Sequence, residues 1–84
     1  MSTSDKLLDK MRKNPKDWRI DDVIIVAERC NLLIRAKGGS HHVFGYPGIN
    51  ESVTIPAHRP IKPIYIRRFV ELIDKVKEAG HEKT

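Results

Sequence analysis

The chain has a single cysteine, Cys30, which excludes an internal disulfide framework and a multi-cysteine metal site. A small buried apolar residue near a helix end is the ordinary role for such a thiol. No apolar run comes near the ~18–20 residues that a membrane span requires. The polar residues 2–5 are not followed by an apolar signal core, so nothing points to export and a cytoplasmic protein is expected. No internal repeat, low-complexity tract or second domain is visible in the 84 residues, a length that allows one domain with one modest core. Scarcest of all is acid in the middle of the chain. Residues 29–70 carry the bases Arg29, Arg35, Lys37, Arg59, Lys62, Arg67 and Arg68 against one acid, Glu51. The net charge of +5 is therefore concentrated rather than spread, which favours a polyanion-binding face. An acidic protein partner would account for the same asymmetry.

What is present reads as alternating helix and strand signals. Ser4 can cap a helix over 5–13, with Leu7, Leu8 and Met11 on one side and Asn14-Pro15 ending it. Residues 16–19 read as a connector that Trp18 pins to the core. A second helix is predicted to start near Asp21, where the carboxylates of Asp21 and Asp22 favour the positive helix end. Val23, Val26, Ala27 and Cys30 follow helical spacing, Ile24 widens the stripe, and Asn31 can take the left-handed conformation that closes a helix. Residues 32–37 alternate as a strand, with Leu33, Arg35 and Lys37 on one face and Leu32, Ile34 and Ala36 on the other.

Gly38-Gly39 predicts a two-residue hairpin loop, residues 40–46 a second strand, Pro47-Gly48 a type II turn, and residues 52–56 a short third strand. Pro63 suits the first turn of a final helix with an apolar stripe of Ile66, Phe69, Val70, Ile73 and Val76, and with Gly80 beyond its end. The fold class is α+β: a three-stranded antiparallel sheet with helices on one face, plus an extra N-terminal helix. One domain is expected over 1–84, with an extension helix and connector over 1–19, a core over 20–78 and a frayed tail over 79–84.

The run Lys37-Gly38-Gly39-Ser40-His41-His42-Val43-Phe44 delivers two adjacent histidines onto a strand within the basic segment. Histidine is the side chain best placed to move protons near neutral pH. Val43 belongs naturally on the helix-covered side, which would point His41 inward and His42 outward. Phe44 and Tyr46 would then share the open face with His42, as a platform for bases or a contact for a partner; the other way to place them is with the two faces reversed. A metal site is not expected, because adjacent strand residues point to opposite faces and no carboxylate or thiol cluster accompanies the histidines.

Three ordered pieces of the sequence resemble the HicA family of toxins from prokaryotic toxin–antitoxin pairs, small proteins that cleave messenger RNA. Gly39-Ser40-His41-His42 entering a strand is similar to the family's Gly-Ser-x-His signature. Val53-Thr54-Ile55-Pro56-Ala57-His58 is similar to its strand ending in Pro-x-His, and Lys62-Pro63 followed by Ile66-Arg67 resembles its Lys-Pro-x-x-Leu-Arg segment. The resemblance covers roughly residues 22–78. It departs from the family pattern in the N-terminal helix, in Asn31 where many relatives carry glycine, and in one additional glycine in the turn before Ser40.

The resemblance implies a fold like the double-stranded-RNA-binding domain, α-β-β-β-α, and an endoribonuclease whose catalytic histidine is His42. It implies a HicB-type antitoxin bound in a hetero-oligomer, and no cofactor is expected. Ser40 falls in the matching motif as a binding residue, and His58 in the Pro-x-His element as a residue for binding or structure. Metal-free cleavage, in which the 2′-hydroxyl attacks phosphorus and the 5′-oxygen leaves, needs a proton removed, a proton donated and charge stabilised on the phosphoryl oxygens. Arg35, Lys37, Arg67 and Arg68 are the candidates for holding phosphates, with Arg67 favoured because it matches the family segment. Two other readings fit the same basic segment: a non-catalytic RNA-binding module and a protein that meets an acidic partner.

Overall fold

Ile66, Phe69, Val70, Ile73 and Val76 recur at helical spacing, and all five are buried together with Leu72. They lie on the last and longest element of a computed structural model that describes residues 3–37, 40–57 and 60–81. The order is α1 (Thr3–Lys13), α2 (Ile20–Arg29), β1 (Leu33–Lys37), β2 (His41–Tyr46), β3 (Ile49–Pro56) and α3 (Pro63–His81). The α+β class and the α-α-β-β-β-α order are those expected from the sequence. The predicted break at Gly80 does not occur, since α3 continues through it. A lone glycine costs a helix about 1 kcal/mol, too little to stop one of this length.

The first helices follow the same logic. α1 buries Leu8 and Met11 and packs against α2 and α3. α2 buries Val23, Val26 and Ala27, and it begins one residue earlier than predicted, at Ile20. Its start is held by Asp22, whose Oδ2 accepts the Arg19 backbone N–H at 3.3 Å. Its end is closed by Asn31 at φ 61°, which lets the Leu32 N–H reach back to the Ala27 carbonyl at 2.9 Å. The connector between the helices is fastened by Trp18, whose indole N–H donates to the Asn14 carbonyl at 2.7 Å. The Trp18 carbonyl also accepts the Ile61 N–H at 3.1 Å, in an isolated bridge to the segment that leads into α3.

The three strands pair antiparallel in the order β1-β2-β3. Pro47-Gly48 forms the β2–β3 turn, with Gly48 at φ 89° as the third residue of a type II turn requires. β3 is longer than the predicted 52–56 and starts at Ile49, because a register irregularity between Phe44 and Tyr46 absorbs extra residues and lets Tyr46 pair with Ile49.

The β1–β2 connection carries the main correction. Lys37 pairs with His41, so three positions separate the strands rather than two. A two-residue loop would have paired Lys37 with Ser40, and a slip of one residue moves every side chain to the opposite face. The observed register sets Ile34, Phe44 and Val53 in one row, and Ala36, His42 and Ile55 in the next. Phe44, Val53 and Ile55 are buried under the helices, so the expectation that Val43 faces inward and His42 outward is overturned. The benzyl group of Phe44 buries far more apolar area than the isopropyl group of Val43, and the interior takes the larger one. Phe44 meets Phe69 of α3 edge to face, with ring centroids 5.5 Å apart.

Candidate functional site

Neighbouring strand residues point to opposite faces, so the two histidines occupy opposite sides of the sheet. His42 shares the helix-covered side with Phe44, and their rings stack at 6.4 Å with 20° between planes. The imidazole is half-buried, and its Nδ1 is enclosed without a hydrogen-bond partner among the described residues. An orphaned buried nitrogen costs the fold about 1–3 kcal/mol, which singles His42 out among the polar groups of the interior.

His41 points the other way and is exposed. A hydrogen bond of 3.2 Å links its Nδ1 to the Ser40 hydroxyl, fixing the ring relative to the strand. Ser40 is itself anchored, since its carbonyl accepts the Ala57 N–H at 2.7 Å and continues the β2–β3 ladder by one step.

Beyond Ser40, the side chains that share a hollow with His41 come from β3 and α3. An open depression of about 360 Å3 straddles the β3 edge strand and is lined by His41, Ser52, Val53, Thr54, Pro56, Tyr65 and Arg68. Ser52, Thr54 and Tyr65 bring hydroxyl groups, Arg68 a guanidinium and His41 an imidazole. No carboxylate is among the described residues that line it. The sole acid of the basic stretch, Glu51, is paired with Lys75 of α3.

The predicted phosphate-holding residues Arg35, Arg67 and Arg68 line three different hollows. Arg35 lies on the open face of the sheet, in a shallow hollow shared with Leu33, Val43, Tyr46 and Glu51. Arg67 lies over the seam between α1 and α3, beside Met11, Arg12, Val70 and Glu71. Arg68 shares a cavity with a histidine, and that histidine is His41. Lys37 pairs with His41 through its backbone, but its side chain, like the whole of His58, lies outside the described residues.

Sequence reasoning missed Tyr65, Thr54 and Ser52. Thr54 was legible as a residue on the same face as His41 once the register was known, whereas Tyr65 reaches the site only through the packing of α3 on β3. Among the described residues no group of three or more His, Cys, Asp or Glu could hold a metal ion, and no helix is long and apolar enough to cross a membrane. Comparison with protein-family models, with curated proteins and with solved structures finds no match for this chain.

Proposed function

We propose that this chain is an RNA-cleaving toxin of the HicA type, restrained by a HicB-type antitoxin that covers its basic face. The observation that carries the reading is the open depression in which an exposed imidazole, His41, shares space with Arg68 and three hydroxyl groups. The α-β-β-β-α order that follows α1 and the concentration of positive charge over residues 29–70 agree with it.

Two imidazoles compete for the proton-transfer role. The resemblance assigns it to His42, whose ring is half-buried beside Phe44. The geometry favours His41, which is exposed, hydrogen-bonded to Ser40 and part of a depression that Arg68 also lines. In this reading His41 takes the proton from the attacking 2′-hydroxyl or returns one to the departing 5′-oxygen, while Arg68 stabilises charge on the phosphoryl oxygens. No cofactor enters the step.

The test compares His41→Ala, His42→Ala and the double variant for RNA degradation in EDTA and for growth arrest, with folding checked by circular dichroism. Loss of an imidazole that moves a proton should slow cleavage by about 10²–10⁴-fold. His41→Ala is expected to show that loss, with His42→Ala retaining most of the rate. The reverse pattern would transfer the role to His42. Undiminished cleavage in the double variant would remove the nuclease reading altogether.

A second reading is a non-catalytic RNA-binding module. It is favoured by the dispersal of Arg35, Arg67 and Arg68 over three different hollows instead of one catalytic centre. It expects RNA binding that falls with salt, no cleavage by the unaltered protein, and binding retained when both histidines are replaced.

A further inference from the structure

We propose that the depression astride β3 is a seat for one phosphodiester group of the RNA strand, in which Arg68 grips the phosphoryl oxygens and the hydroxyls of Tyr65, Thr54 and Ser52 complete the donor set. This deepens the RNA reading above and rests on it for the identity of the ligand, though not for the anion chemistry. Charge is the first argument. Three other hollows of the described surface each include a carboxylate: Glu51 beside Arg35, Asp17 beside Arg19, and Glu71 beside Arg67. A carboxylate at hydrogen-bonding range of a phosphate repels it, so those hollows are poor anion sites. The Arg68 depression is lined by a guanidinium, an imidazole and hydroxyls, all able to donate, with no carboxylate among them.

Rigidity is the second argument. Thr54 and Ser52 stand on a paired strand, Thr54 opposite Val43, and Tyr65 is half-buried against the hydrophobic core in the first turns of α3. Donors fixed in this way lose little freedom when they close on a phosphate. The neighbouring Arg67 has no such company. Its surroundings are the buried Met11 and Val70, Glu71, and Arg12, whose guanidinium is committed to Asp74, so the favoured member of the Arg67–Arg68 pair changes once the fold is known.

The experiment uses the full chain and two probes. Inorganic phosphate is titrated while backbone and side-chain amide shifts are followed by NMR, and a fluorescein-labelled single-stranded RNA is titrated by anisotropy at several salt concentrations. Phosphate should move the signals of Ser52, Thr54, Tyr65 and Arg68. Arg68→Ala should weaken RNA binding about tenfold and reduce the salt slope by about 0.7, the loss of one phosphate contact on a single strand. Tyr65→Phe and Thr54→Val, which keep shape and remove a hydroxyl, should each weaken it by about two- to fivefold, whereas Arg67→Ala should change neither affinity nor slope.

An unchanged slope in Arg68→Ala, or a slope lost in Arg67→Ala, overturns the seat. Phosphate shifts centred elsewhere overturn it as well. Phosphate shifts at these four residues without RNA affinity would uphold the anion site and overturn the RNA reading, which keeps the two failures apart.

Discussion

Arg12 of α1 holds Asp74 of α3 through two hydrogen bonds of 2.9 and 2.7 Å, joining residues 62 positions apart in the sequence. The paired fork is the strongest geometry available to a surface ion pair. It draws the Asp74 carboxyl below the usual carboxylate range, chiefly through the hydrogen bonds from Arg12 and against the opposing effect of burial. Both side chains remain well exposed, so the pair contributes at most about 1 kcal/mol.

A group whose folded pKa is depressed adds stability above its unfolded value and loses it as pH falls through the folded one. Asp74→Asn should therefore lower stability by up to about 1 kcal/mol at pH 7 in urea unfolding. The gap to the unaltered protein should close below about pH 4, where an unfolded aspartate takes up its proton. A gap that persists undiminished in acid would mean that the carboxylate charge is not what Arg12 recognises.

Phe44→Ala removes a fully buried ring that contacts Phe69, and it should cost about 3–5 kcal/mol. Val43→Ala, on the open face, should cost less than half of that. Equal losses in chemical unfolding would contradict the assignment of faces.

His42→Phe replaces an imidazole carrying an unpartnered buried nitrogen with an apolar ring next to Phe44. Removing the orphaned polar atom should leave the thermal midpoint unchanged or raise it. A marked fall would indicate that Nδ1 is satisfied in solution, by a bridging water for example.

Gly48→Ala places a Cβ where nothing lies within 4 Å, so only the left-handed backbone opposes it. A loss of about 1 kcal/mol is expected in urea unfolding. Asn31→Gly, at φ 61°, should be neutral or slightly stabilising, because glycine takes that conformation without steric cost.

The helices were legible because their apolar residues recur at a spacing that only a helix places on one side. Every member of the predicted α3 stripe is buried, as are Val23, Val26 and Ala27 of α2. Asn31 and Gly48 were legible for a different reason, since few residue types accept positive φ. The faces of the sheet were not, because they depend on one count: the residues between Lys37 and His41. Two glycines suggest the shorter loop, and Ser40 joins them in the longer one. That single residue decides which histidine meets solvent. The residues that share a hollow with His41 were hidden for a related reason, as Tyr65 and Arg68 come to line it only through the packing of α3 on β3.

The stitch between Trp18 and Ile61 has a practical corollary. Trp18 is the one indole in the chain, and it clasps the segment entering the helix that carries Tyr65 and Arg68. Its fluorescence is thus a native gauge of whether that clasp is closed. A blue or red drift of the emission as a ligand is added would report, without any label, that occupancy is transmitted to the connector between the first two helices.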